Sequence, residues 1–182
     1  MGKSKFQAAI EFTKNLFTTG AFTETSRGVE VEICAHLPTG PNKIVVEFGM
    51  GYGNITREIL SRLAPDSKLY AFEVNAEFCK TVKDENLDER LVVVNDSAEN
   101  MNQHIEGQVD GFISSIPFTF ISKEVGDQII RASYEKLNPG CYFSQVLYSA
   151  FHFKRFEKVF DESSKKVLKN IPLEFIYHCK KR

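Results

Sequence analysis

The 182-residue chain is 42% apolar and 26% charged, long enough to bury a core and globular in composition. No apolar run approaches the roughly eighteen residues of a membrane span, and the opening "MGKSKFQAAIEF" carries Glu11 inside its apolar half, so no signal peptide is expected. The net charge of −1 hides a pattern: residues 1–27 carry +2, residues 28–150 carry −8 and residues 151–182 carry +5, so two basic ends suited to an anionic partner flank an acidic centre.

In chain order, "KFQAAIEFTKNLF" sets Phe6, Ala9, Ile10, Thr13, Leu16 and Phe17 at helical spacing, with Lys3, Lys5 and Lys14 on or beside the other face. "SRGVEVEICAHL" reads as a second helix with Ser26 as its N-cap. After the break at "PTGPN", strands and helices alternate. "KIVVEFG" is a strand, "NITREILSRLA" a helix, "KLYAFEV" a strand, "AEFCKTVKDE" a helix and "RLVVVND" a strand. A short polar stretch runs to Gly107. "VDGFISSI" then reads as a strand, "SKEVGDQIIRASYEKL" as a helix, "CYFSQVLY" as a strand and "AFHFKRFEKVFDE" as a helix. "SKKVLKN" and "LEFIYHCKK" can close as an antiparallel pair. This alternation predicts an α/β fold: a doubly wound, seven-stranded, mostly parallel sheet with a C-terminal antiparallel pair, in one domain over residues 1–182. Ligands of such sheets bind beyond the carboxyl ends of the strands.

The candidate chemistry lies at those ends. Cys34, Cys79, Cys141 and Cys179 are scattered among apolar runs without a CxxC pair, and read as reduced core residues of a cytoplasmic protein. His36, His104, His152 and His178 show no metal-ligand spacing, so no metal is expected. "VEFGMGYGNITREIL", residues 46–60, sets three glycines between a strand and a helix. A dinucleotide loop wants G-x-G-x-x-G. Here the third glycine falls one place early, Asn54 takes its slot, and Glu47 would repel a pyrophosphate.

The pattern E-x-G-x-G-x-G, with Glu47, Gly49, Gly51 and Gly53, resembles that of class I methyltransferases, which bind S-adenosylmethionine. That ligand is cationic and lacks phosphates, so an acidic loop suits it. Glu73 and Val74 end the next strand, where a carboxylate can take the two ribose hydroxyls. The resemblance implies that Asp96 and Ser97, after the third strand, lie beside the adenine, that Ser114, at the end of the fourth, also borders the cofactor, and that Ser115, Pro117 and Phe118 face the substrate. Residues 1–37 would then form a helical segment over the cofactor site.

Amino-group methyltransferases carry [ND]-[PL]-P-[YF] in the fourth-strand loop; here Ser115, Ile116, Pro117 and Phe118 keep the proline and aromatic but lack the amide or acid. Bacterial phospholipid N-methyltransferases look closer. Their S-G-L-P-[LF] loop is similar to residues 115–118, their "KTGA…PSSR" to "FTTGAFTETSR" and their "VAVEFNPEFC" to "YAFEVNAEFCK". Their closing N-[LIV]-P-x-x-x-[VI]-Y is matched from Asn170 onward by "NIPLEFIYHCKKR". The similarity spans essentially the whole chain, with Met50, Tyr52 and Ile116 as departures.

The resemblance implies methyl transfer to an amine, foremost the ethanolamine head group of a phospholipid; an RNA adenine N6-methyltransferase or a small-molecule amine methyltransferase are the alternatives. A nucleic acid partner is disfavoured by the overall charge. Tyr52, Glu24, or Ser115 through a water could take the amine proton, and Phe22, Phe118, Phe120 and Tyr52 could present aromatic faces to a methylated cation. The basic ends and the N-terminal helix suit reversible contact with an anionic membrane surface. Phe153, Phe156 and Phe160, beside Lys154, Arg155 and Lys158, either add to that contact or pack on the sheet.

Overall fold

A computed structural model describes residues 26–85, 88–170 and 173–182. The helix expected over residues 5–17, and Phe22 and Glu24 after it, lie outside the described residues. Seven strands form one sheet: β1 (Ile44–Phe48), β2 (Lys68–Phe72), β3 (Leu91–Val94), β4 (Val109–Ser114), β5 (Leu137–Leu147), β6 (Glu162–Leu168) and β7 (Glu174–Lys180). Their order is β3-β2-β1-β4-β5-β7-β6, with β7 antiparallel to both β5 and β6 and the other pairs parallel. The chain reverses direction across the sheet between β1 and β4, which puts the switch point beside the glycine loop.

Both faces are covered, so the central strands are continuous apolar runs rather than alternating ones. On one face α1 (Arg27–Ile33), α2 (Asn54–Arg62) and α3 (Ala76–Glu85) pack Val29, Ile33, Ile59 and Val82 onto the sheet. On the other, a 3-10 turn (Ala98–Gln103), α4 (Lys123–Lys136) and α5 (Phe153–Glu157) bury Met101, Ile129, Ile130 and Phe156 against Phe48, Phe112 and Phe143. The helices begin where their capping residues dictate. The Ser26 and Ser122 hydroxyls accept from the backbone N–H groups of Val29 and Val125, at 3.4 and 3.3 Å.

Two expectations change. The fifth strand begins at Leu137 rather than Cys141, with a register shift against β4 where Pro139 and Gly140 interrupt regular pairing; Gly140 takes φ +82° there. The helix expected over "AFHFKRFEKVFDE" is only the five residues of α5, after a 3-10 turn at Ala150–His152. Its Phe156 and Phe160 are buried in the core, so packing on the sheet, not membrane contact, accounts for them. The closing pair forms, and β7 enters between β5 and β6 because its face is apolar while β6 is exposed and lysine-bearing, as an edge strand must be.

Candidate functional site

Four loops meet at the carboxyl ends of β3, β2, β1 and β4, tied to one another by short hydrogen bonds. Gly49 leaves β1 with φ +78°, and its N–H donates to the Phe72 carbonyl at 2.8 Å. A Cβ there would sit 3.1 Å from Ser115 Oγ, so the close approach of the first and fourth loops requires glycine. The Ser115 hydroxyl donates to the Gly49 carbonyl at 2.5 Å and its N–H donates to Phe48 at 2.9 Å. Gly53 takes φ +79° to start α2, where a Cβ would crowd Val82 at 3.2 Å.

Two carboxylates end β1 and β2, both nearly inaccessible. Glu47 Oε2 accepts from the Thr56 hydroxyl at 2.6 Å, while Oε1 is buried without a partner among the described residues. Burial, with the Thr56 bond opposing and the Glu73 charge assisting, raises the Glu47 carboxyl to about 7. Glu73 accepts from the N–H of Gly51 at 3.1 Å through Oε2 and of Asn75 at 2.8 Å through Oε1. Burial raises its pKa despite the N–H groups of Asn75, Gly51 and Val74. Val74, half-buried, follows directly, and Asn95 Nδ2 donates to the Glu73 carbonyl at 2.8 Å, joining the second and third loops.

In the third loop Asp96 accepts from the Ser97 N–H at 2.7 Å and from Asn100 Nδ2 and contacts His104 Nε2, each at 2.8 Å. Burial pushes Asp96 up, but the His104, Asn100 and Ser97 bonds hold it below the usual carboxylate value. Ser97 caps the 3-10 turn by position, not with its side chain. In the fourth loop Ser114 is fully buried and Pro117 half-buried. Tyr52, 47% exposed, sets its ring 4.5 Å from Phe78, and Phe120 is 54% exposed.

Phe118 is the correction among the site residues. Its side chain turns inward, 1% exposed, with its ring 5.4 Å from Phe156 and Arg155 stacked over it at 5.5 Å. The loop reverses sharply, the Phe118 N–H donating to the Ile116 carbonyl at 2.9 Å, and this points the ring at α5 rather than outward.

The sequence reading missed the groups that hold these loops. Gln145, fully buried on β5 opposite Ser114, donates from Nε2 to the Ile116 carbonyl at 3.1 Å. Its signal was a lone amide in the apolar run "QVL". Thr56 and His104 had none, since only folding brings them to Glu47 and Asp96. His152, also missed, lies 3.2 Å from the Thr119 hydroxyl and 3.3 Å from Arg155, under the end of the fourth loop. Among the described residues no group of three His, Cys, Asp or Glu could hold a metal ion. All four cysteines are free, with Cys34, Cys79 and Cys179 buried.

A switch-point site with a glycine loop, two buried carboxylates and a partnerless buried Glu47 oxygen fits a cationic nucleoside ligand, and with this fold it defines a class I methyltransferase. The sequence profile of the methyltransferase small domain matches residues 16–170, and the chain belongs to that family of S-adenosylmethionine-dependent enzymes. It is 26% identical over 152 residues to the ornithine lipid N-methyltransferase of Singulisphaera acidiphila, covering 80% of this chain and 79% of that one. The fold is shared with the precorrin-6y C5,15-methyltransferase of Geobacter metallireducens, at TM-score 0.72 and 13% identity over 87% of this chain and 90% of that one. It is also shared with a Streptococcus mutans protein solved in complex with SAH, at TM-score 0.67 and 17% identity over 87% and 99% of the two chains.

Proposed function

We propose that the enzyme methylates an amine, and that the amine is the ethanolamine head group of a phospholipid. The observation that carries this reading is the state of Ser115. A base amine wants an amide or acid acceptor at this position, and Ser115 has a hydroxyl that is already donating back to Gly49. The site therefore lacks the planar acceptor suited to adenine, while a flexible aliphatic amine does not need one. The lipid acceptor named for the Singulisphaera relative supports the same choice.

In this reading Glu73 takes the ribose hydroxyls, Asp96 and Ser97 border the adenine, and Glu47 compensates the cationic end of the cofactor. The glycines let the backbone approach closely, with Val74 and Ser114 flanking. S-adenosylmethionine supplies a methyl group activated on a sulfonium. The chain must orient a deprotonated amine in line with that methyl and exclude water, and such positioning can supply several kcal/mol. The residue 115–118 loop, pinned by Gln145, places the amine. The Ser115 oxygen, directly or through a water, or Tyr52 receives its proton on the way to solvent. Pro117 shapes the loop, and Phe118 acts from beneath by packing rather than by touching the acceptor.

A head-group substrate implies an enzyme working at the inner membrane face, drawn there by its basic terminal segments. No helix among the described residues is long and apolar enough to cross a membrane. The test is incubation with radiolabelled cofactor and a lipid extract, followed by chromatography. Label in methylated phosphatidylethanolamine supports the reading; label only in water-soluble amines or in RNA overturns it.

A further inference from the structure

One end of the β5–β7–β6 sheet is apolar at its surface and basic around it. Phe151 is 84% exposed, Leu173 50% and Val167 44%. The fold brings them to one edge. Val167 and Leu147 both pair with Phe175, two residues beyond Leu173, and the Tyr177 hydroxyl donates to the Ser149 carbonyl at 2.6 Å, holding the end of β5 there. This is the carboxyl edge of the parallel strands, the edge that carries the candidate site.

Phe151 is not on a loose loop. Its N–H donates to the Ser149 hydroxyl at 3.2 Å, and the next residue, His152, is 7% exposed and in contact with Thr119 and Arg155. The turn is anchored from below, so presenting the ring outward costs little further conformational entropy. The same anchor joins the turn to Thr119, one residue after Phe118.

Charge is segregated along β6. Asp161 and Glu162 sit at its far end, where they meet Arg182. Toward the apolar edge come the exposed Lys165 and Lys169, with no acidic residue from 163 to 173. Lys154 is exposed three residues beyond Phe151, and Lys165 stands over the Phe153 ring at 5.3 Å. Three separate apolar side chains fall far short of a stable protein interface, which buries about 800 Å² on each partner. An aromatic and two aliphatic groups ringed by lysines suit a bilayer interface, where rings and methyls enter the acyl boundary and ammonium groups stay at anionic head groups.

We infer that Phe151, Leu173 and Val167, ringed by Lys154, Lys165 and Lys169, dock the enzyme on an anionic lipid bilayer with the site's edge toward the head groups. The purpose of the docking rests on the lipid-amine reading above, while the docking itself does not require an amine in the bilayer.

The experiment uses the full chain and phosphatidylcholine vesicles with and without phosphatidylglycerol, which carries no amine. The wild type should sediment with the phosphatidylglycerol vesicles and be released by high salt. Phe151→Ser with Leu173→Ser, and separately Lys165→Glu with Lys169→Glu, should each weaken vesicle affinity about tenfold. Cofactor affinity and melting temperature should stay at wild-type values, since these side chains are exposed and away from the cofactor loops. Variants that sediment like the wild type, a wild type that stays in the supernatant, or a patch whose mutation abolishes self-association instead would each overturn the docking. Methyl transfer to detergent-dispersed phosphatidylethanolamine is read in parallel. Its absence in the wild type defeats the acceptor assignment alone, and its persistence in vesicle-defective variants assigns their loss to docking.

Discussion

In the function proposed above, Glu73 serves structure and ligand together. Its two oxygens accept from Gly51 and Asn75, so it joins the first and second loops before any nucleoside arrives. A carboxylate oxygen has capacity for more than one donor, which leaves room for ribose hydroxyls. Glu73→Ala removes both functions. Calorimetry should find cofactor binding lost, and denaturant unfolding should find stability lower by about 1–3 kcal/mol, the cost of two buried N–H groups left without acceptors. Glu73→Gln keeps an acceptor and loses the charge, so its stability should lie nearer the wild type while cofactor affinity still falls. Wild-type affinity in both variants would remove Glu73 from the site.

At the level of elements, stability gathers where helices meet the sheet through one well-placed residue. Phe118 belongs to a loop, yet it fills the space between α4 and α5. Phe118→Ala should cost about 3–5 kcal/mol, as large-to-small changes of buried aromatics do. Turnover and cofactor affinity should then fall together as the fourth loop loosens; loss of turnover alone, at unchanged stability, would return the ring to the acceptor. Arg62 plays the corresponding part on the other face. From the end of α2 it donates to the carbonyls of Cys34 at 2.8 Å and Val31 at 3.1 Å, closing the C-terminus of α1, and pairs with the nearly buried Glu58. Arg27 also reaches Glu58, at 2.5 Å, so the carboxylate keeps one partner when Arg62 is removed. Arg62→Ala should therefore cost about 1–3 kcal/mol, read by urea unfolding. Hydrogen exchange should show α1 opening first.

Across the whole molecule, buried groups on well-separated strands, β1 and β7, set opposing pH dependences. Burial, with the His36 charge assisting, holds His178 down at about 4, although Glu32 pulls the other way. The unfolded state then takes up a proton near 6.5 that the native state refuses, so this contribution is full above 6.5 and is lost as pH falls toward 4. Glu47, raised to about 7, works in the reverse sense: its contribution is full below about 4.5 and is lost as pH rises through 7. Glu73, also raised, adds to that falling branch. Between pH 4.5 and 6.5 the two tendencies offset each other, and the cofactor-free protein should melt at a nearly constant temperature. Glu47→Gln removes much of the falling branch, so its melting temperature should climb with pH more steeply than that of the wild type. Parallel curves for the two proteins would mean that Glu47 titrates as an ordinary carboxyl.

What the sequence determined by itself was whatever rests on local spacing. The alternation of apolar runs with helical periodicity required a doubly wound sheet, and Ser26 could be read as a cap because a cap acts within three residues. Glu47, the glycines, Glu73, Asp96 and Ser115 could be placed at successive strand ends because β-strands that run parallel deliver their carboxyl ends to one edge. Only the tertiary structure decided where side chains point once those ends have met. Phe118 lies inside and Phe151 outside, although both are aromatic residues in loops at the same edge, because α5 packs over one and nothing in the described chain covers the other. The contacts of Thr56 with Glu47 and of Gln145 with the fourth loop were likewise invisible, since a contact between residues on different elements follows from the order of the strands. That order, with β7 inserted between β5 and β6, was settled by which strand had two apolar faces to bury and which could tolerate an open edge.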